Sequence, residues 1–468
     1  MGPGTFKLLF LGLMASGIPV AIAMAGASLV YVMVSGNIPD YVVIHRMVGG
    51  LDSFPLLAVP FFIMAGNLMN SAGITNRIYN FALGLVGWLR GGLGHVNVVG
   101  SVIFAGMSGT AIADAAGLGT IEIKAMTEHG YSKEFSVGVT AASATLGPII
   151  PPSLPFVIYA LFANVSVGSL FLAGIVPGAV MAILMMLTVA YYAHKNKWGA
   201  DVPFQWPRVL RSFGELVIAL GWPAAIWVAV EFGGIGPQTA VVCGLIVLLA
   251  ADWKFKFQAV LPIMTPVLLI GGMTTGVFTA TEGAIAACVW ALFLGIVWYR
   301  VMNMKMLVKV SMDTIETTSA VLFIVAAASI FGWMLTATRT TEMIASWVLS
   351  VTSTPWGFLL LANLLMLFVG CFLEPTAAIT ILVPILLPIV HKLGIDPVHF
   401  GLVMVLNLMI GLLHPPMGLV LFVLARVAKL SVERTTMAIL PWLVPLLISL
   451  VLVTYIPQIS LWLPNLMK

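Results

Sequence analysis

Polar residues punctuate long apolar runs in this chain instead of alternating with them. Between residues 137 and 194 there is no Asp, Glu, Lys or Arg, and comparable runs recur from Phe6 to the C-terminus. A helix needs about 20 apolar residues to cross a bilayer core, so the pattern predicts an all-α polytopic membrane protein. Run lengths and Gly/Pro breakers predict about eleven spans, at 6–34, 54–72, 134–164, 168–193, 214–232, 235–252, 258–279, 282–299, 314–337, 397–425 and 436–456. Runs 93–126 and 358–390 are each too long for one span and too short for two with a turn. Both read as re-entrant helical hairpins, tolerated only where protein or a watery cavity surrounds the backbone. Run 6–34 is too long for a signal-peptide core and has no convincing cleavage site, so it is read as the first span.

Two of the predicted spans carry breakers at their centres. GPIIPPSLP at 147–155 holds four prolines and a glycine, and GLLHPPM at 411–417 is its counterpart. A proline inside a helix removes an amide hydrogen bond and clashes with the carbonyl four residues earlier. At the same offset of 264 positions (147 to 411), Gly106 meets Gly370, Gly130 meets Gly394, Pro151 and Pro152 meet Pro415 and Pro416, and Pro177 meets Pro441. Each half runs hairpin, connector, broken helix, next helix. With the N-terminus inside, the first hairpin opens to the cytoplasm and the second to the outside, which makes the halves inverted repeats. Such repeats with matching interrupted helices point to a secondary transporter's binding site. The chain divides into N-terminal scaffold helices and an arm (1–92), first hairpin and broken helix (93–165), and scaffold helices with an extra pair near 214–252 (166–354). The second hairpin and broken helix (355–428) and a C-terminal scaffold helix (429–468) complete it.

Charge agrees with this topology. Only Arg46, Arg339, Lys392 and Lys468 fall outside; all the other Lys and Arg of the 21 fall inside, as the positive-inside rule requires. With 61% hydrophobic and 8% charged residues, against about 25% charged in soluble domains, composition leaves no room for a soluble fold. The net charge of +4 carries no nucleic-acid signal. Cys243, Cys288 and Cys371 lie far apart in apolar segments and read as buried thiols, without metal or disulfide spacing. No G-x-x-x-x-G-K-[ST] loop is present for ATP, and no H-E-x-x-H motif or paired aspartates for an intramembrane enzyme. Asp114 has no obvious intramembrane Asp partner.

Carbonyls freed at the breaks cost several kcal/mol each in the bilayer core unless satisfied, and unwound carbonyls with hydroxyls suit a hard ion such as Na⁺. The first hairpin tip, AGMSGTAIAD (105–114), offers Ser108, Gly109 and Thr110, with Thr110 able to cap the returning arm and Asp114 in its first turn. The second, GCFLEPTAAI (370–379), places Pro375 at a first helical position with Glu374 as its cap. Bland alternatives stay open. The breaks can be simple kinks, Asp114 and Glu374 simple helix-start carboxylates, and His414 a packing histidine. Ser143, Thr145 and Asn407 can be ion ligands or interhelical hydrogen-bond partners.

At these residues the chain resembles a known family. AGMSGTAIADAAGLGTIEIKAM (105–126), VTAASATLGPIIPPSLPFVIYA (139–160), GVFTATEGA (276–284) and NLMIGLLHPPMGL (407–419) look like the large membrane (M-type) subunit of tripartite ATP-independent periplasmic (TRAP) transporters, over nearly the whole chain. The resemblance implies an elevator-type, sodium-driven importer in the bacterial inner membrane, with no cofactor beyond coupling Na⁺. A periplasmic binding protein (P-type) would deliver a small organic anion, a carboxylate or sugar acid, and a small four-helix membrane subunit (Q-type) would brace the scaffold. Carried onto this chain, one sodium site lies among Ser108, Gly109, Thr110, Ser143, Thr145 and Gly147, and a second among Gly370, Glu374, Thr376, Asn407, Met409 and Gly411. Asp114 lines an ion site or the substrate cavity. Substrate sits between the tips, near Ser108, Pro151, Pro152, Glu374, Pro375, His414, Pro415 and Pro416. The chain departs from the family's F-T-P-T-E-A pattern with FTATEG (278–283) and adds a helix pair near 221–252. The alternative is a stand-alone dicarboxylate–sodium symporter of related fold.

Overall fold

The protein was analysed as a computed structural model that describes residues 3–36, 38–231, 236–257, 259–274, 277–414 and 418–467. Among the described residues every named element is a helix. The chain opens with α1 (Pro3–Ala15), α2 (Val20–Ser35) and α3 (Tyr41–Leu51). A 3₁₀ turn, Phe54–Leu57, leads into α4 (Ala58–Ser71), followed by α5 (Ile74–Val86). The first hairpin is α6 (Gly92–Ser108) with α7 (Ala111–Ala116) and α8 (Leu118–Glu128). The first broken helix is α9 (Lys133–Ala144) and α10 (Leu154–Ala163), and α11 (Val167–Lys195) follows. Then come α12 (Trp206–Glu231), α13 (Pro237–Phe255), α14 (Val260–Thr274) and α15 (Ala280–Leu292), the last continuing as a π-helical turn. The second half holds α16 (Met304–Ala337), α17 (Thr340–Val351), the hairpin α18 (Pro355–Gly370) and α19 (Pro375–Lys392), and the broken helix α20 (Pro397–Gly411) and α21 (Leu419–Ala428). The chain closes with α22 (Val432–Tyr455) and α23 (Gln458–Leu466).

By length and composition, seven of these helices can cross a membrane unaided, or eight if the pair α17 and α18, bent by 120°, counts as one span. Spans 134–164 and 397–425 are each two short helices around a break, as the prolines require. Span 6–34 differs from expectation. Gly17 adopts a left-handed φ of +82° and Pro19 follows, so the chain turns and α1 packs back on α2, with the Phe6 and Tyr31 rings 5.6 Å apart. Helices α3, α5, α17 and α23 had no counterpart among the expected spans. Cys288 and Cys371 are buried as expected, but Cys243 is exposed on α13.

The 264-residue repeat is visible in the caps. Thr110 caps α7 and Glu374, its equivalent, caps α19; Ser132 caps α9 and Asp396 caps α20. Gly130 and Gly394, just ahead of those last caps, both take left-handed φ, +86° and +67°. Such backbone is routine only for glycine. The halves interlock: α10 packs on α19 of the other half, and α21 packs on α7. Helices α9 and α22 pack together, as do α11 and α20. A polar tie closes the base of the first hairpin, where the Asp201 carboxylate accepts from Leu93 N (2.8 Å) and from the Tyr131 hydroxyl (2.5 Å).

Candidate ion and substrate site

The first tip and the first break are in direct contact. Helix α6 ends at Ser108, Gly109 turns through φ +62°, and Thr110 in extended backbone caps α7 by accepting from Ala113 N (3.3 Å). A Cβ on Gly109 would lie 2.8 Å from the Pro152 carbonyl oxygen, and one on Gly147 would lie 3.0 Å from that of Thr110. Glycine at both positions is what lets tip and break backbones meet. Beyond the break Ser153 caps α10, accepting from Phe156 N (3.3 Å) while donating to the Pro148 carbonyl (2.5 Å). Pro151 and Pro152, joined by a cis peptide, lie between the break and the tip. The N-termini of α7 and α10 thus lie side by side, an arrangement suited to an anion.

Of the first site's expected ligands, Gly109, Thr110 and Gly147 meet in this contact, Ser108 and Thr145 lie within two residues of it in sequence, and Ser143 lies one turn before it on α9. Ser108 Oγ is buried with no hydrogen-bond partner. Thr145 donates to the Ala142 carbonyl (2.6 Å), and Ser143 donates to Asn97 Oδ1 (2.7 Å). Both hydroxyls therefore keep lone pairs free. Asp114 on α7 is buried, as is a second acidic residue, Glu122 of α8. Each is 1% exposed, and Asp114 Oδ2 and Glu122 Oε1 have no partner. Helices α7 and α8, which carry these two acidic residues, are joined at Gly117.

The second tip meets the second break where two glycines face each other. A Cβ on Gly411 would lie 2.7 Å from Gly370 Cα. Glu374 caps α19 through Oε2, accepting from Ala377 N (3.2 Å), and accepts from the Thr376 hydroxyl through Oε1 (2.7 Å). Pro375 occupies the first helical position. Glu374 thus caps α19 as the sequence predicts. His414 Nδ1 lies 3.4 Å from Cys371 Sγ, which places it beside the tip. Asn407 donates to the side-chain oxygen (2.8 Å) and main-chain carbonyl (3.0 Å) of Asn363, and its own Oδ1 is buried without a partner. Met409 is buried in the last turn of α20. Pro415 and Pro416 lie outside the described residues. Thr279 and Glu282 of the divergent FTATEG stretch form a reciprocal capping box at the start of α15.

The sequence reading passed over Asn97, Glu122, Asn363 and Thr454. Their signal was present: lone asparagines in apolar runs (GLGHVNVVG and LLLANLLML) and an isolated glutamate in TIEIKAM. Polar side chains inside membrane helices join neighbouring helices or line sites.

The family model described as "Tripartite ATP-independent periplasmic transporter, DctM component" matches residues 8–459. The sialic acid TRAP transporter large permease protein SiaM of Vibrio cholerae is 40% identical over 457 residues, spanning 98% of this chain and 97% of that one. The C4-dicarboxylate TRAP transporter large permease protein DctM of Rhodobacter capsulatus is 32% identical, spanning 98% of each. Among solved structures, the Alcanivorax borkumensis YdaH transporter superposes with a TM-score of 0.60 at 16% identity, covering 90% of this chain and 89% of its own. At that identity the likeness concerns the fold.

Proposed function

We propose that this chain, which belongs to the DctM component family of tripartite ATP-independent periplasmic transporters, imports a small organic anion into the cell against its gradient by coupling to Na⁺. It is a permease subunit of the inner membrane and not an enzyme. Relatives named for sialic acid and C4-dicarboxylate transport support a carboxylate or sugar-acid substrate. A periplasmic binding protein would deliver it, and a small membrane subunit would complete the tripartite assembly.

One observation carries the sodium reading. Two glycine-lined tip-to-break contacts, related by the repeat, each leave a buried oxygen without a partner: Ser108 Oγ in the first and Asn407 Oδ1 in the second. A buried unsatisfied oxygen costs about 1–3 kcal/mol, and a hard cation held by hydroxyl, amide and carbonyl oxygens removes that cost. The helix N-termini at the first tip and break, with the bound cations adding to the field, would then hold the substrate's negative charge. The elevator movement would carry the tips and breaks together across the bilayer.

The test is thermal stability of the purified full-length chain in NaCl against equimolar KCl and choline chloride. A ligand that binds only the folded state stabilises it by about 2.7 kcal/mol at a hundred times Kd. Sodium-specific stabilisation, lost in Ser108→Ala, is the expected result; equal melting in all three salts would sink the proposal. Retention of a small membrane subunit on purification from native membranes would separate the tripartite reading from a stand-alone symporter.

A further inference from the structure

Two asparagines, one in each half, face the residues at the breaks. Asn97 on α6 donates from Nδ2 to Glu122 Oε2 (2.5 Å) and Thr140 Oγ1 (2.8 Å), and its Oδ1 accepts from Ser143 Oγ (2.7 Å). Asn363 on α18 donates from Nδ2 to Thr454 Oγ1 (3.1 Å), and its Oδ1 accepts from Asn407 Nδ2 (2.8 Å). Ser143 and Asn407 are equivalents, 264 positions apart. Asn97, Ser143, Thr140 and Asn407 are all buried, at 2% exposure or less.

Asn407 is not free to turn over, and neither is Asn97 beside a Glu122 carboxylate. Reversing Asn97 would set its Oδ1 against a carboxylate oxygen at 2.5 Å, acceptor facing acceptor. Reversing Asn407 would set its Oδ1 against two oxygens of Asn363, side chain and main chain, at 2.8 and 3.0 Å. An amide orientation is assigned by the network around it: the main-chain carbonyl of Asn363, which can only accept, fixes Asn407, and Glu122 fixes Asn97 in its carboxylate form. Asn97 Oδ1 therefore draws the Ser143 proton, with a second, longer bond of that hydroxyl to the Thr140 carbonyl (3.2 Å). The Ser143 lone pairs are left for another partner. In the other half Asn407 is held by its nitrogen, so its oxygen is turned away from Asn363 and stands alone.

We propose that Asn97 with Glu122, and Asn363 in the second half, are positioning residues: they orient Ser143 and Asn407 so that each presents oxygen, never hydrogen, to a sodium ion at its break. The inference rests on the sodium reading above. Neither asparagine touches the ion in this arrangement. Each fixes the dipole of the residue that does, so the binding oxygens need no reorganisation when the ion arrives.

The test titrates NaCl, at constant ionic strength with choline chloride, against thermal stability of the full-length chain and reads the half-saturating sodium concentration. Glu122→Leu removes the acceptor that holds Asn97, and half-saturation rises about tenfold, as expected for losing a hydrogen bond to a charged group. Glu122→Gln keeps an acceptor for Asn97 Nδ2 and restores half-saturation close to the wild-type value. Asn363→Ala raises half-saturation, and Asn363→Asp, which keeps the acceptor facing Asn407, restores it; this pair decides the matter if Glu122→Leu yields no folded protein. Variants that lower melting equally with and without sodium, at unchanged half-saturation, would reduce these residues to packing and overturn the inference. A wild-type chain without any sodium response would overturn the sodium reading and the inference with it.

Discussion

Substituting Gly411 by alanine tests the central contact of the second half. The new Cβ would lie 2.7 Å from both Cα and the carbonyl carbon of Gly370 and 2.9 Å from its oxygen. Relaxed carbon–carbon contacts are about 3.5–4.0 Å, so the methyl intrudes by roughly 1 Å. No flexible side chain can yield, because main chain of α18 stands on one side and the end of α20 on the other. Overpacking of this kind costs about 1–3 kcal/mol, only partly offset by alanine's higher helix propensity of up to about 1 kcal/mol. A shift of about 1 Å between tip and break also exceeds the roughly 0.5 Å within which a binding constellation must be held. Gly411→Ala should therefore melt below wild type and lose sodium stabilisation at the second break. Gly147→Ala, 3.0 Å from the Thr110 carbonyl, should cost less, and Gly12→Ala on α1, with nothing within 4 Å, nothing. Differential scanning fluorimetry of the purified chain with and without NaCl reads all three. Melting of Gly411→Ala at or above the Gly12→Ala control would mean that the second tip and break are not in contact, and the reasoning fails.

Three further expectations follow from named contacts. Ser108→Ala removes a buried hydroxyl without a partner, so without sodium it should match or exceed wild-type stability, a gain of up to about 1–3 kcal/mol, and in NaCl it should fall below; a parallel loss in both salts would show that Ser108 meets no ion. Glu374→Ala strips the cap of α19 at a cost of about 1 kcal/mol, whereas Glu374→Gln retains an acceptor for Ala377 N; equal melting of the two variants would refute the capping role. Asp201→Ala unties both Leu93 N and Tyr131 Oη and should cost about 1–3 kcal/mol. Since Tyr131 acts through the same oxygen, adding Tyr131→Phe to Asp201→Ala should change little, and full additivity in denaturation would break that coupling.

The hairpins, the breaks and the repeat were legible because each is written in residues with one physical use. Gly147, Gly370 and Gly411 are needed where backbones meet, and Thr110 and Glu374 where a helix starts inside apolar surroundings. The double turn at Gly17 and Pro19 was equally legible but was overridden by the length of the apolar run. Apolarity reports burial and says little about direction, so a run folded back on itself reads like a single span. The Asn97–Glu122 network was hidden for a different reason. Its members sit on α6, α8 and α9, far apart in sequence, and their role depends on which atoms face each other. Glu122 gains its role only because the fold sets Asn97 of α6 beside it.

The interlocking of the halves bears on how such a protein could move. If each repeat packed only with itself, two tips and two breaks could shift independently, and an ion bound at one would have no purchase on the other. Here α10 leaves the first break and packs on α19, the returning arm of the second hairpin, while α21 leaves the second break and packs on α7. Each tip is therefore touched by the break of its own half and by the continuation beyond the other. Displacing one tip relative to the other would shear two apolar helix interfaces at once, one on each side, with large apolar side chains losing burial. Fully burying a side chain of that size is worth about 1.5–3 kcal/mol, so separate motion of the tips is far costlier than motion of all four pieces as one body. Coupling then needs no signal passed between the sites: a cation that holds either tip closed holds the same body, and the proposed movement carries both sites together.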